Sequence, residues 1–195
     1  RLVTITVNRA KTQMAANAIT TIYNINKDLV VTLKDSNGKA LSGVKVTVNL
    51  NGAKTLITDK NGQIKVSTKG LAPKAYSAKI TFSGDANYDN STKEVKVTVK
   101  KANSKIIAKK KTFKMAKKVK KYAITLKDNI GKPIKKAKVT LKIKGKTFKA
   151  KTNAKGKATF KIKKLTKKGT FKAKITFKGN AYYSKVTKKV KIKMK

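Results

Sequence analysis

Apolar residues recur at every second position through most of this chain. Leu29, Val31 and Leu33 recur at every second position, with Val30 and Thr32 between them, and Val44, Val46, Val48 and Leu50 alternate with polar neighbours. Tyr76, Ala78, Ile80 and Phe82 form a third run, and Val95, Val97 and Val99 a fourth. A period of two turns one face of an extended segment inward and the other to water, so each run predicts a half-buried β-strand. Turn signals punctuate the runs. "DSNGK" (35–39) and "DNIGK" (128–132) put Gly38 and Gly131 where a left-handed backbone is expected. "DKNG" (59–62) and "NAKG" (153–156) predict hairpin turns at Gly62 and Gly156. No stretch of useful length has helical periodicity.

The pattern occurs twice. "YSAKITFSGDANYDNST" (76–92) matches "FKAKITFKGNAYYSKVT" (171–187), and "VTLKDSNGKALSGVKVTV" (31–48) matches "ITLKDNIGKPIKKAKVTL" (124–141). "KEVKVTVK" (93–100) matches "KKVKIKMK" (188–195), so the lysine-heavy ending is expected to be a strand and not a solvated tail. The offset drifts from 93 to 95 residues, which marks one duplicated unit whose apolar positions are kept and whose polar positions are rewritten to lysine. "LVTITVNRAKT" (2–12) resembles "EVKVTVKKANS" (94–104), so residues 1–11 are expected to be the last strand and linker of a preceding repeat. Repeat one then covers 12–100 and repeat two 101–195. The short joints "RAK" and "KAN" predict repeats arranged end to end as a semi-rigid rod. A start at Arg1, without Met or a signal-like segment, predicts a fragment or a processed product. Short alternating strands in each repeat predict an all-β protein: two tandem Ig-like antiparallel β-sandwich domains preceded by one orphan strand.

Composition narrows the chemistry. Cys and His are absent, which removes disulfides, thiol catalysis, cysteine or histidine zinc sites and imidazole acid–base catalysis together. No run of about 18 apolar residues occurs, so no membrane span is expected. Charge is the dominant feature: 52 basic residues stand against 7 acidic, a formal net charge of +45. It is unevenly spread. Residues 1–100 hold 16 basic and 6 acidic side chains, and residues 101–195 hold 36 basic and one acidic, Asp128. Every basic residue of the second repeat is lysine.

The block "YSAKITFSGDANYDNSTKEVKVTV" (76–99) resembles the C-terminal signature of bacterial and archaeal Ig-like repeats of the group 3 kind, in which a strand ends in a "GD–x–NY" turn before a V-x-V-x-V strand. "KDSNGKALSGVKVTV" (34–48) is similar to their preceding turn and strand. The resemblance covers nearly the whole chain, twice. It implies tandem stalk repeats of an adhesin-like protein at the cell surface or cell wall. The lysine-rich, cysteine-free composition is similar to that of repeats from pseudomurein-walled methanogenic archaea. In repeat two "GDANY" becomes "GNAYY" (179–183), a departure that removes the carboxylate from this turn and argues against a metal there. Gly84, Tyr88, Gly179 and Tyr183 at the twin turns read as structural.

Alternation collects the lysines. In an Ig-like sandwich the third, sixth and seventh strands are neighbours. In repeat two their outward positions would be Lys138, Lys142 and Lys144, then Lys172, Lys174 and Lys178, then Lys189, Lys191 and Lys193. With strands about 4.8 Å apart, such cations lie within one Debye length. The matching positions of repeat one are mostly Thr, Ser, Asn and Glu, so the fold itself does not require the charge. A bound polyanion would relieve the repulsion. Lysine is a hydrated point charge without the bidentate fork used in base readout. Sequence-specific nucleic-acid binding is therefore not expected, although non-specific nucleic-acid binding is a further alternative. The resemblance implies an acidic, pseudomurein-like cell-wall polymer as the expected partner, with another polyanion as the alternative. The other reading is a head-to-tail surface fibre, in which Leu2, Val3, Ile5 and Val7 form a donor strand that pairs with another copy of the chain.

No catalytic residue, metal site or cofactor is expected. The acids of repeat one, chiefly Asp35, Asp59, Asp85 and Asp89, fall at turns, where they bond their own backbone.

Overall fold

The computed structural model describes Val3 and residues 7–195. Among these residues every regular element is a strand, and the chain divides into two compact units that meet between Lys100 and Lys101.

In the first unit the strands are β1 (Thr12–Ala16), β2 (Ile19–Ile22), β3 (Asp28–Asp35), β4 (Lys45–Asn49), β5 (Ala53–Ile57), β6 (Gln63–Ser67), β7 (Ala75–Phe82) and β8 (Ser91–Lys100). They form a three-stranded sheet, β1-β3-β6, and a five-stranded sheet, β2-β8-β7-β4-β5. Asn17 and Ala18 break the first edge strand and let the chain change sheets. β1 runs antiparallel to β3 with Met14 opposite Leu33, whereas β2 runs parallel to β8 with Ile19 opposite Val97.

The second unit repeats the plan with β9 (Ser104–Ile107), β10 (Lys111–Phe113), β11 (Lys120–Asp128), β12 (Lys138–Ile143), β13 (Lys146–Lys151), β14 (Lys157–Ile162), β15 (Gly169–Phe177) and β16 (Val186–Met194). Its sheets are β14-β11-β9 and β10-β16-β15-β12-β13. The closing lysine-rich segment is β16, with Ile192 and Met194 buried and Lys191 and Lys193 exposed.

The inward residues of each sheet pair make one core per unit. In the first, Leu29, Val31, Leu33, Val46, Val48 and Ile80 are almost wholly buried. Each such side chain contributes roughly 1.5–3 kcal/mol through its removal from water. At one cross-strand position the second unit enlarges the pair: Leu29 opposite Val66 becomes Tyr122 opposite Phe160. Both aromatics are at most 1 % exposed.

The turns at Gly62 and Gly156 differ from expectation. They close no hairpin. Each carries the chain from the five-stranded to the three-stranded sheet, β5 to β6 and β13 to β14. The reason lies one step earlier, where Thr58 and Thr152 are buried and bind the segments that lead into β4 and β12. Thr58 Oγ1 donates to the Leu41 carbonyl, and Thr152 Oγ1 donates to that of Ile134. Alternation cannot distinguish a turn within a sheet from one between sheets. The tight hairpins instead join β4 to β5 and β12 to β13. Of the expected terminal donor strand, Leu2 and Ile5 lie outside the described residues; Val3 and Val7 are exposed and outside any strand.

Candidate polyanion-binding face

The five-stranded sheet of the second unit sets lysines in register. Lys142 on β12 stands opposite Lys174 on β15, which stands opposite Lys189 on β16. Lys172 faces Lys191 one step along, and at the sheet edge Lys138 faces Lys151. Lys193 lies between Thr170 on β15 and Thr112 on β10. All these lysines are exposed. A row of threonines, Thr140, Thr176 and Thr187, crosses between the charged rows. Two of the expected residues lie just off the strands. Lys144 sits in the β12–β13 turn at φ 50°, with Nζ 5.1 Å from the centre of the Phe171 ring, and Lys178 follows the end of β15.

The same registers in the first unit read differently. Asn49, Lys79 and Glu94 occupy the row held by Lys142, Lys174 and Lys189. Charge in the second unit has also risen by loss of acids at turns whose geometry is unchanged. Asp59 Oδ1 accepts from the N–H groups of Asn61 and Gln63; Asn153 Oδ1 accepts from those of Lys155 and Lys157. Asp85 Oδ1 accepts from Asn87 and Tyr88, and Asn180 Oδ1 from Tyr182 and Tyr183. An amide oxygen serves these turns as well as a carboxylate. Asp128 is buried, and its Oδ1 accepts from the Ile130 and Lys132 N–H groups.

The cationic surface is wider than expected. On the opposite sheet Lys121 faces Lys161 and Lys105 faces Lys127. Lys120 breaks the outward rule. It is 4 % exposed, and its Nζ donates to the Lys117 carbonyl at 2.8 Å. Three lysines that sequence reasoning passed over, Lys136, Lys149 and Lys151, join Lys138 and Lys178 around an open cleft of about 830 Å³. The alternation in "KTFKAK" (146–151) carried the signal for Lys149 and Lys151; nothing in the local pattern marked Lys136.

The remaining expected positions are turn elements. Gly38, Gly62, Gly84, Gly131, Gly156 and Gly179 all have φ between 69° and 84°. Tyr88 and Tyr183 are half-buried and bridge to Ala10 and Ala102. Among the described residues no group of three His, Cys, Asp or Glu could hold a metal ion, and no helix is long and apolar enough to cross a membrane.

No family model matches the chain, and no curated protein matches it. Solved structures do. Invasin, a bacterial integrin-binding protein, superposes with a TM-score of 0.59 at 16 % identity, over 94 % of this chain and 39 % of that one. A 1.5-MDa bacterial ice-binding adhesin aligns at 16 % identity over 97 % of this chain and 67 % of that one, with a TM-score of 0.40. The titin domains Z1Z2 in complex with telethonin align at 10 % identity over 97 % and 98 %, with a TM-score of 0.49. The chain therefore spans about two fifths of the invasin structure. At such identities the likeness to invasin speaks for the fold: the chain is two Ig-like β-sandwich domains in tandem.

Proposed function

We propose that this chain is a non-catalytic Ig-like segment of an adhesin-like cell-surface protein, and that its second unit holds an acidic cell-wall polymer by ionic contact. The observation that carries the reading is the row Lys142, Lys174 and Lys189, which stands where the first unit has Asn49, Lys79 and Glu94. Directly opposed like charges destabilise a sheet. Two copies of one fold differ here in charge and not in architecture, and an anionic polymer laid across the row would turn the repulsion into attraction. Lysine without arginine suits loose, salt-sensitive contact along a polymer. The tandem Ig-like fold shared with invasin supports a surface role.

The test is co-sedimentation of the full chain with purified cell-wall sacculi across a salt series. Retention at low salt and release near about 0.5 M NaCl, where the Debye length has fallen to about 4 Å, are expected. A chain carrying Lys142→Asn and Lys189→Glu is expected to release at clearly lower salt. Identical release by both chains would overturn the reading.

A further inference from the structure

Lys136, Lys138, Lys149, Lys151 and Lys178 surround one open cleft at the end of β12, β13 and β15, beside Asn180. In the first unit the matching register positions are Gly43, Lys45, Thr55, Ile57 and Ser83, beside Asp85. Five ammonium groups and an amide thus replace one ammonium group and a carboxylate on the same backbone.

Lys136 was placed there against the preference of the backbone. Its φ is 53°, and Gly43 has 75° at the twin position. A side chain in the left-handed region costs roughly 1–2 kcal/mol. The conformation is held by neighbours: the Lys136 N–H donates to the Thr152 carbonyl at 2.9 Å, and the Ala137 N–H donates to Thr152 Oγ1 at 2.8 Å. Thr152 itself is 3 % exposed. A strained residue held rigidly at the rim of a cleft is a frequent mark of a binding site.

We infer that this cleft is a discrete seat for a phosphate group borne by the acidic polymer, within the otherwise diffuse cationic face. The inference rests on the ionic-attachment reading above. Phosphate fits better than carboxylate because it offers more oxygen acceptors to the several lysines that line the cleft. Removal of the Asp85 carboxylate at position 180 favours any anion. The volume, about 830 Å³, is that of a site for a small molecule or one polymer unit.

Calorimetric titration of the full chain with inorganic pyrophosphate at physiological salt tests the seat. Two variants of equal charge loss are compared. One reverts the cleft, with Lys136→Gly, Lys149→Thr and Lys178→Ser. The other thins the face, with Lys172→Ser, Lys189→Thr and Lys193→Thr. Lys136→Gly relieves strain, so the cleft variant is expected to fold, and thermal melting checks this. The expected result is at least about tenfold weaker pyrophosphate binding in the cleft variant, against less than about twofold in the other, with citrate binding the parent chain more weakly than pyrophosphate; one decade of affinity is 1.4 kcal/mol. Equal losses in both variants, no binding by the parent chain, or citrate binding as tight as pyrophosphate overturns the seat. Those outcomes leave the wall reading standing, because sedimentation with sacculi tests it separately.

Discussion

Lys174 and Lys189 face each other across β15 and β16 at the register where the first unit pairs Lys79 with Glu94. In the first unit the position sets opposite charges in register, and the Ser77 hydroxyl lies 3.3 Å from Glu94 Oε2. In the second it is a repulsion, extended to Lys142 on the far side. Lys189→Glu is therefore expected to stabilise the second unit by about 0.5 kcal/mol at low salt. The gain should shrink in 1 M NaCl, where the Debye length is about 3 Å. Urea unfolding at both salt concentrations, with hydrogen exchange on β15 to assign the unit, measures it. A loss of stability at low salt would show that the lysine row is held by something other than the fold's tolerance.

Lys164 presents the same conflict on the backbone. Its φ is 54°, and the twin residue in the first unit is Gly70 at φ 84°. Leu165 and Leu71, which follow them, both pack on their cores, so the chain path is shared. Lys164→Gly should stabilise the second unit by about 1 kcal/mol, and Gly70→Lys should cost the first unit about as much. Thermal melting of the reciprocal pair is the check. A matched gain and loss would place lysine at this position for reasons other than stability.

Much of this architecture is legible in the sequence because β-structure writes itself in alternation. Val95, Val97 and Val99 in one copy explain Val190, Ile192 and Met194 in the other, although lysine fills the gaps between them. The neighbour relations that build the lysine row follow from Ig-like strand order. Three things were not legible. Lys120 points inward although its charge predicts an outward face: it stands in phase with Tyr122 and Ile124, and its Nζ reaches the Lys117 carbonyl. The turns at Gly62 and Gly156 cross between sheets, which depends on the buried hydroxyls of Thr58 and Thr152 and not on turn residues. The cleft depends on β13 lying beside β12, so that Lys149 and Lys151 join Lys138 from across a hairpin.

Gly156 shows how closely those crossing turns are packed. A Cβ built there would lie 2.5 Å from the Leu126 carbonyl oxygen and 3.0 Å from Pro133 Cβ, and its φ of 69° is strained for any L side chain. The same carbonyl accepts the Ile134 N–H, so it cannot retreat without loosening the turn beside Asp128. Gly156→Ala should destabilise the second unit by about 3 kcal/mol. Gly131→Ala has the strained φ but no neighbour within 4 Å of the added carbon, and should cost about 1–2 kcal/mol. Equal costs in a urea series would remove the steric part of this account.

Tyr122 gives the second unit an alkaline limit. Its hydroxyl donates to the Lys109 carbonyl at 2.7 Å, and burial raises its pKa above the ordinary value of 10.0. The folded state therefore holds the phenolic proton more tightly than the unfolded chain does. The associated stability is fully present below pH 10.0 and is lost as pH rises through the higher folded value. Tyr122→Phe isolates this contribution. It should cost about 1 kcal/mol at neutral pH through the lost hydrogen bond. Above pH 10 the variant should gain on the parent protein, because it has no phenolic proton to lose at this site. Phenolate absorbance checks the titration directly: one tyrosine of the parent chain should ionise late, and that late step should be missing from the variant. An unchanged titration curve would mean that the late step belongs to another tyrosine, and that burial of Tyr122 does not set the alkaline limit.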